Sequence, residues 1–151
     1  MINKRCVIVA GGVITDKTFI KEIINNDDYI IAADRGYDYC NLVEIVPNLI
    51  VGDFDSAEKV PETEIETIIL NPIKDCTDTE FAINEAVKRG FNEILILGGL
   101  GNRFDHTFAN IILIASYKQK EITIVMLDEN HKIFALKNEK FTLENINAYI
   151  S

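Results

Sequence analysis

Short apolar runs rich in β-branched residues recur along this chain, and most of them stop at a glycine or an aspartate. Cys6 to Ala10 (CVIVA) runs into Gly11-Gly12, and Tyr29 to Ala33 runs into Asp34-Arg35-Gly36. Leu49 to Val51 ends at Gly52-Asp53-Phe54-Asp55-Ser56, and Glu93 to Leu97 ends at Gly98-Gly99-Leu100-Gly101. Runs this short, bounded by turn formers, predict buried strands. Glu66 to Leu70 and Ile122 to Leu127 fit the same description. Helical spacing fills the gaps between them. Phe19, Ile20, Ile23 and Ile24 share one face of a helix expected over Lys17 to Asn26. Shorter and longer helices are expected over Tyr37 to Val43 and Asp105 to Tyr117. Thr77 to Arg89 is a helix marked at both ends, with Thr77 and Glu80 at capping-box spacing and Gly90 as a stop. Strands that alternate with helices through short connections predict an α/β fold with a mostly parallel sheet. Ligands of such sheets bind beyond the carboxyl ends of the strands, where the Gly and Asp clusters fall.

Composition narrows the classes of function. The chain has 151 residues, 48% of them hydrophobic, which suits a compact α/β domain rather than a disordered segment. Its formal charge of −9 excludes a general binder of nucleic acid or of anionic membranes, because both attract basic patches. Phosphate ligands stay open, since carboxylates can hold a metal that neutralises them. No apolar run approaches the ~20 residues needed to span a bilayer. The first residues lead into a strand without a cleavable signal pattern. Cys6, Cys40 and Cys76 make neither a CxxC nor a zinc spacing, and fit a reducing, cytoplasmic setting. Beyond about Asp128 the pattern changes: Lys132 to Leu136 and Glu139 to Leu143 resemble short strands of a separate β unit. The expected organisation is therefore an α/β domain over 1–127 and the start of a β unit over 128–151.

Three clusters carry chemistry. Asp53 and Asp55 lie two residues apart past a strand, so an extended chain projects both to one face. Two bare carboxylates at that distance repel, and a divalent ion with phosphate ligands resolves the conflict. The pair also suits a plain polar turn. Asp75 and Asp78 flank Thr77 at a helix start, where acids and Thr are favoured by the helix dipole and by capping. Asp75 lies before the cap, where it does little for the helix, and this favours a shared site with Asp53 and Asp55. Gly98 to His106 (GGLGNRFDH) joins a strand to a helix. Its glycines let backbone amides approach phosphate, and Arg103 adds a planar fork suited to the same ligand. The loop is neither a dinucleotide fingerprint nor a Walker A loop, because Phe104 replaces the third glycine and no G-K-[ST] occurs. Asp105 and His106 add an acid and a histidine; His131 reads as an ordinary surface residue.

The ordered set Ala33-Asp-Arg-Gly36, Val51-Gly-Asp-Phe-Asp-Ser56, Lys74-Asp-Cys-Thr-Asp78 with Glu80 and Ala82, and Gly98 to His106 with Asn110 resembles the catalytic domain of the thiamin pyrophosphokinases. The resemblance covers most of residues 6–127. It implies a Rossmann-like three-layer sandwich followed by the start of a β-sandwich that helps bind thiamin. It also implies transfer of pyrophosphate from ATP to the hydroxyl of thiamin, giving thiamin diphosphate and AMP with Mg2+, in a cytoplasmic homodimer. Carried over by position, Asp53, Asp55, Asp75 and Asp78 would be metal and catalytic carboxylates. Gly12, Asp34, Arg35, Thr77, Gly99 and Arg103 would line the ATP site. Asp105 and His106 would border the thiamin, with Asp78 and Asp105 as the two candidate bases. Asn102 stands where the family often has Gly. Three other functions share these features: a pyrophosphokinase for another small alcohol such as a pterin, an aspartyl-phosphate enzyme built on Asp53, and a nucleotide sensor without turnover.

Overall fold

The period of two along each strand decides the architecture. In β1 (Cys6–Val9) all four side chains are fully buried. Cys6 and Ile8 enter one apolar core, and Val7 and Val9 enter the other. A strand buried on both faces needs a helical layer on each side, and the intervening helices supply them. The computed structural model describes residues 4–54, 63–71, 73, 75–144 and 149–150. In chain order β1 is followed by α1 (Thr18–Ile23), β2 (Tyr29–Ala33), α2 (Gly36–Leu42), β3 (Leu49–Gly52) and β4 (Glu66–Ile69). Then come α3 (Asp78–Lys88), β5 (Glu93–Leu97), α4 (Phe104–Lys118), β6 (Thr123–Leu127) and β7 (Lys132–Phe134).

The seven strands form one sheet in the order β4-β3-β2-β1-β5-β6-β7, parallel except for the last pair. The chain winds outward from β1 to β4, returns across the sheet through α3, and continues outward on the other side. Right-handed crossovers in opposite directions put their helices on opposite faces. Ile20 of α1 and Cys40 of α2 accordingly join one core, while Ala82, Ile83 and Ala86 of α3 and Ile114 of α4 join the other. The direction reverses between β1 and β5, whose carboxyl ends border the crevice where sheets of this kind bind ligands.

Most expected elements form within a residue or two of their sequence limits. Helix α1 is shorter than the 17–26 segment predicted for it, because Ile24 turns to an extended conformation (φ −80°, ψ 128°). Its side chain still packs against the α1/α2 core, so the apolar spacing outlasts the helix. Lys132 to Phe134, expected to open a separate β unit, instead pairs antiparallel with β6 as the edge of the main sheet. Glu139 to Leu143, expected as a strand, is irregular. Phe141 there packs its ring on Phe134 at 4.8 Å rather than entering a ladder.

The amino end of the sheet is closed by paired charges. Arg89, just past α3, forms two bonds to the Glu66 carboxylate (3.1 and 2.5 Å) and donates to the Tyr29 hydroxyl at 2.8 Å. It also approaches Glu85 at 3.6 Å. Arg5 holds Asp28 in the same way, at 3.0 and 2.6 Å. All three cysteines are free, and burial pushes the Cys6 and Cys40 thiols up to about 12. Among the described residues, no helix is long and apolar enough to cross a membrane.

Candidate active site

Parallel pairing brings the acidic strand ends together. Ala33 of β2 lies opposite Val51 of β3, and the Asp34 amide donates to the Val51 carbonyl at 2.8 Å. The residues that leave these two strands, Asp34 and Asp53, are therefore neighbours although 19 positions apart. Asp34 takes the left-handed conformation (φ 50°), as does Phe54 (φ 54°), which turns the chain sharply at both strand ends. Asp78 arrives from across the sheet as the first residue of α3. One carboxylate oxygen from each of Asp34, Asp53 and Asp78 lies within 4.8 Å of the others, and all three residues are half-buried. Burial, and then the nearby Asp78 carboxylate, push the Asp34 carboxyl above its ordinary range. Such a group of hard oxygen donors suits a divalent cation that keeps phosphate or water ligands.

One of the expected ligands does not sit in this group. Asp75 is exposed and is not among the three. It precedes the cap of α3, and only Asp78, inside the first turn, is carried to the sheet edge. Asp55 lies outside the described residues. Asp34, expected only beside ATP, joins the carboxylates instead. Pairing of β2 with β3 could have revealed this, because it follows from the strand register rather than from any local motif.

Opposite the acids lie the glycine turns. A cleft of about 480 Å³ runs between them. Its walls include Gly12, Asp34, Arg35, Thr77, Asp78, Gly99, Arg103 and His106, eight of the twelve residues singled out from the sequence. The Gly12 amide donates to the Gly98 carbonyl at 2.8 Å, so the two turns are bonded to each other. A Cβ on Gly12 would overlap the carbonyl oxygens of Gly98 and Leu100, which explains the glycine there by close approach. The Gly12 amide is thus occupied within the protein, and its contribution to a ligand is shape. Gly36 has a similar reason: a Cβ there would overlap the Val9 carbonyl, where α2 starts against β1.

Thr77 does what its capping position predicts. Its Oγ1 accepts from the Glu80 amide at 3.1 Å while the residue borders the cleft. Arg103 and Asp105 hold each other through two bonds of 3.2 and 2.6 Å. Both are mostly exposed, at 69% and 62% of their side-chain surface. The Arg103 guanidinium holds the Asp105 carboxyl below its usual range, so this acid is already committed to a partner. Two side chains without an assigned role in the sequence reading also shape the cleft. Asn110, buried on α4, donates to the Gly99 carbonyl at 2.8 Å. Tyr39, carried on α2, donates to the Gly12 carbonyl at 2.8 Å.

Known proteins resemble this chain in sequence and fold. The chain is 28% identical over 96 residues to thiamin pyrophosphokinase 1 of Caenorhabditis elegans, covering 60% of this chain and 40% of that protein. It is 28% identical over 145 residues to the thiamine pyrophosphokinase of Bacillus subtilis, covering 91% of this chain and 66% of that one. The crystal structure of the thiamine pyrophosphokinase from B. subtilis superimposes with a TM-score of 0.72 at 26% identity, over 87% of this chain and 63% of that chain. The chain thus spans less than two thirds of the length of these relatives. The family model described as thiamin pyrophosphokinase, catalytic domain, matches residues 20–126, and with that match over most of its length the chain belongs to the thiamin pyrophosphokinase family.

Proposed function

We propose that this domain transfers the pyrophosphoryl group of ATP to the hydroxyl of thiamin. The attacking oxygen bonds to the β-phosphorus, the bond from that phosphorus to the α-phosphate oxygen breaks, and AMP leaves. The hydroxyl proton passes to a base. The observation that carries this reading is the convergence of Asp34, Asp53 and Asp78 on one side of a cleft whose other side is made of glycine turns. Chemistry of this kind needs little covalent help from the protein, only alignment and charge stabilisation.

The three carboxylates fit Mg2+, whose chemistry when bound is to spread the negative charge of the transferring group. Asp34, Asp53 and Asp78 would hold it, with Asp55 as a further proposed ligand. Arg35 and Arg103 border the cleft as positive partners for phosphate. Of the two candidate bases, Asp78 lines the cleft and is also a proposed metal ligand, while Asp105 is paired with Arg103. His106 lines the cleft, and thiamin is proposed to lie beside it and Asp105. Residues 128–151 are proposed to lead into a β unit that helps hold thiamin, in a cytoplasmic homodimer.

The test is product analysis of the purified protein with ATP, Mg2+ and a panel of small alcohols. AMP and thiamin diphosphate in equal amounts, and only with thiamin, are the expected result. AMP appearing only with a pterin carbinol would transfer the reading to another alcohol. Tight ATP binding with no AMP from any alcohol would leave a sensor.

A further inference from the structure

The loop that follows β1 forms the middle of the cleft wall, between the carboxylates and the Gly98 turn, yet it belongs to neither a strand nor a helix. From Ala10 to Lys17 it is held by contacts from distant parts of the chain. The Gly12 amide bonds to the Gly98 carbonyl. The Tyr39 hydroxyl, carried on α2, donates to the Gly12 carbonyl at 2.8 Å and accepts from the Ile14 amide at 3.4 Å. Glu129, in the turn between β6 and β7, accepts from the Thr15 and Asp16 amides at 3.0 and 2.7 Å.

Tyr39 differs from the other tethers in where it stands. Its ring packs against the α1/α2 core and its side chain borders the cleft. The ring needs no hydroxyl to fill that space, because phenylalanine has nearly the same volume. What the hydroxyl adds is a clamp on two backbone groups of one loop, in a half-buried setting where a hydrogen bond is stronger than in water. Ile14 is itself buried, and its side chain lies beside Gly98, so the clamp also fixes how the loop meets the opposite turn.

We propose that Tyr39 is a positioning residue for the nucleoside triphosphate, its hydroxyl setting the shape of the Gly12–Ile14 backbone that receives the ligand. This rests on the pyrophosphoryl-transfer reading. It assigns the work to the loop's preorganised shape rather than to a direct charge contact. The Glu129 carboxylate serves the outer part of the same loop and so links the β6–β7 turn to the nucleotide side of the cleft.

Steady-state kinetics of Tyr39→Phe separate this role from packing. Losing the clamp raises KM for ATP by roughly five- to tenfold, with kcat within about twofold and KM for thiamin unchanged. Glu129→Ala shifts KM for ATP in the same direction by about twofold, since its carboxylate is exposed and distant from the cleft. A Tyr39→Phe enzyme with the wild-type KM for ATP overturns the inference and leaves the functional reading intact. So does a variant in which KM rises equally for both substrates, or in which only melting temperature and kcat fall. A wild-type protein that forms no AMP from ATP removes the functional reading and this inference together.

Discussion

The two ends of the sheet treat charge in opposite ways, and β2 shows both within a few residues. Near its start Tyr29 meets Arg89, which is also bonded to Glu66 and near Glu85, so each acid there has a basic partner. Past its end Asp34 faces Asp53 and Asp78, acids facing acids. The Arg89 guanidinium holds the Glu66 carboxyl below its ordinary range, whereas burial and Asp78 push Asp34 above its own. Charge at the amino end thus serves the fold and is satisfied within the chain. Charge at the carboxyl end is gathered instead, with three carboxylates within 4.8 Å of one another, a grouping that suits a bound cation.

The largest effect should come from breaking the carboxyl-end group. Asp53→Asn should lower the rate of AMP formation by roughly a hundred- to thousandfold. Its melting temperature without Mg2+ should change little, because asparagine keeps the shape of the side chain. Mg2+ should raise the melting temperature of the wild type by mass action and that of Asp53→Asn much less. A variant that loses stability along with activity would place Asp53 with the structural charges instead.

Arg89→Ala is the mirror experiment. It should lose about 1–2 kcal/mol of unfolding free energy by denaturant titration, since it removes the bonds to Tyr29 and Glu66 together, while Glu85 keeps Lys88. Activity of the folded fraction and its response to Mg2+ should not change. A large fall in activity would mean that the two ends are coupled through α3.

A smaller effect is expected at Thr77, which belongs to both worlds. Thr77→Ala should cost about 1 kcal/mol through the lost cap. A loss of catalytic rate well beyond that would show that the hydroxyl also touches phosphate. The smallest expected effect is in the pH dependence. A carboxyl with a depressed folded pKa contributes stability that is present above its unfolded pKa and lost as pH falls through the folded value. Glu66 is such a group, so Arg89→Ala should flatten the acid side of the stability profile. Melting curves between about pH 3 and 6 would show it.

The strands were legible because each is a short β-branched run closed by a turn former, and Tyr29–Ala33 and Glu93–Leu97 match to the residue. The cap at Thr77 was legible because it depends on a spacing of three. Membership of the carboxylate group was only partly legible. Asp53 and Asp78 were expected in it, but Asp34 enters through the β2–β3 register, and Asp75 falls away because it precedes the helix that carries Asp78 inward. The roles of Tyr39 and Asn110 were hidden for a related reason: each bonds the backbone of a glycine far away in sequence, which composition and spacing do not record. Glu139 to Leu143 misled through its apolar residues, which pack as exposed or edge-lying side chains without a ladder to join.

The central position of β1 has a consequence for how the protein is made. Its first strand pairs on one side with β2, and on the other with β5, where Cys6 lies opposite Ile94. During synthesis β1 therefore leaves the ribosome long before its second neighbour exists. At ordinary elongation rates the wait is on the order of ten seconds. Through that interval the future middle of the sheet is an open edge of fully apolar residues. The nascent chain is most exposed to mispairing and most in need of a chaperone during this time. Only the emergence of β5 closes the edge, and the same event brings the Gly98 turn against Gly12 and creates the cleft.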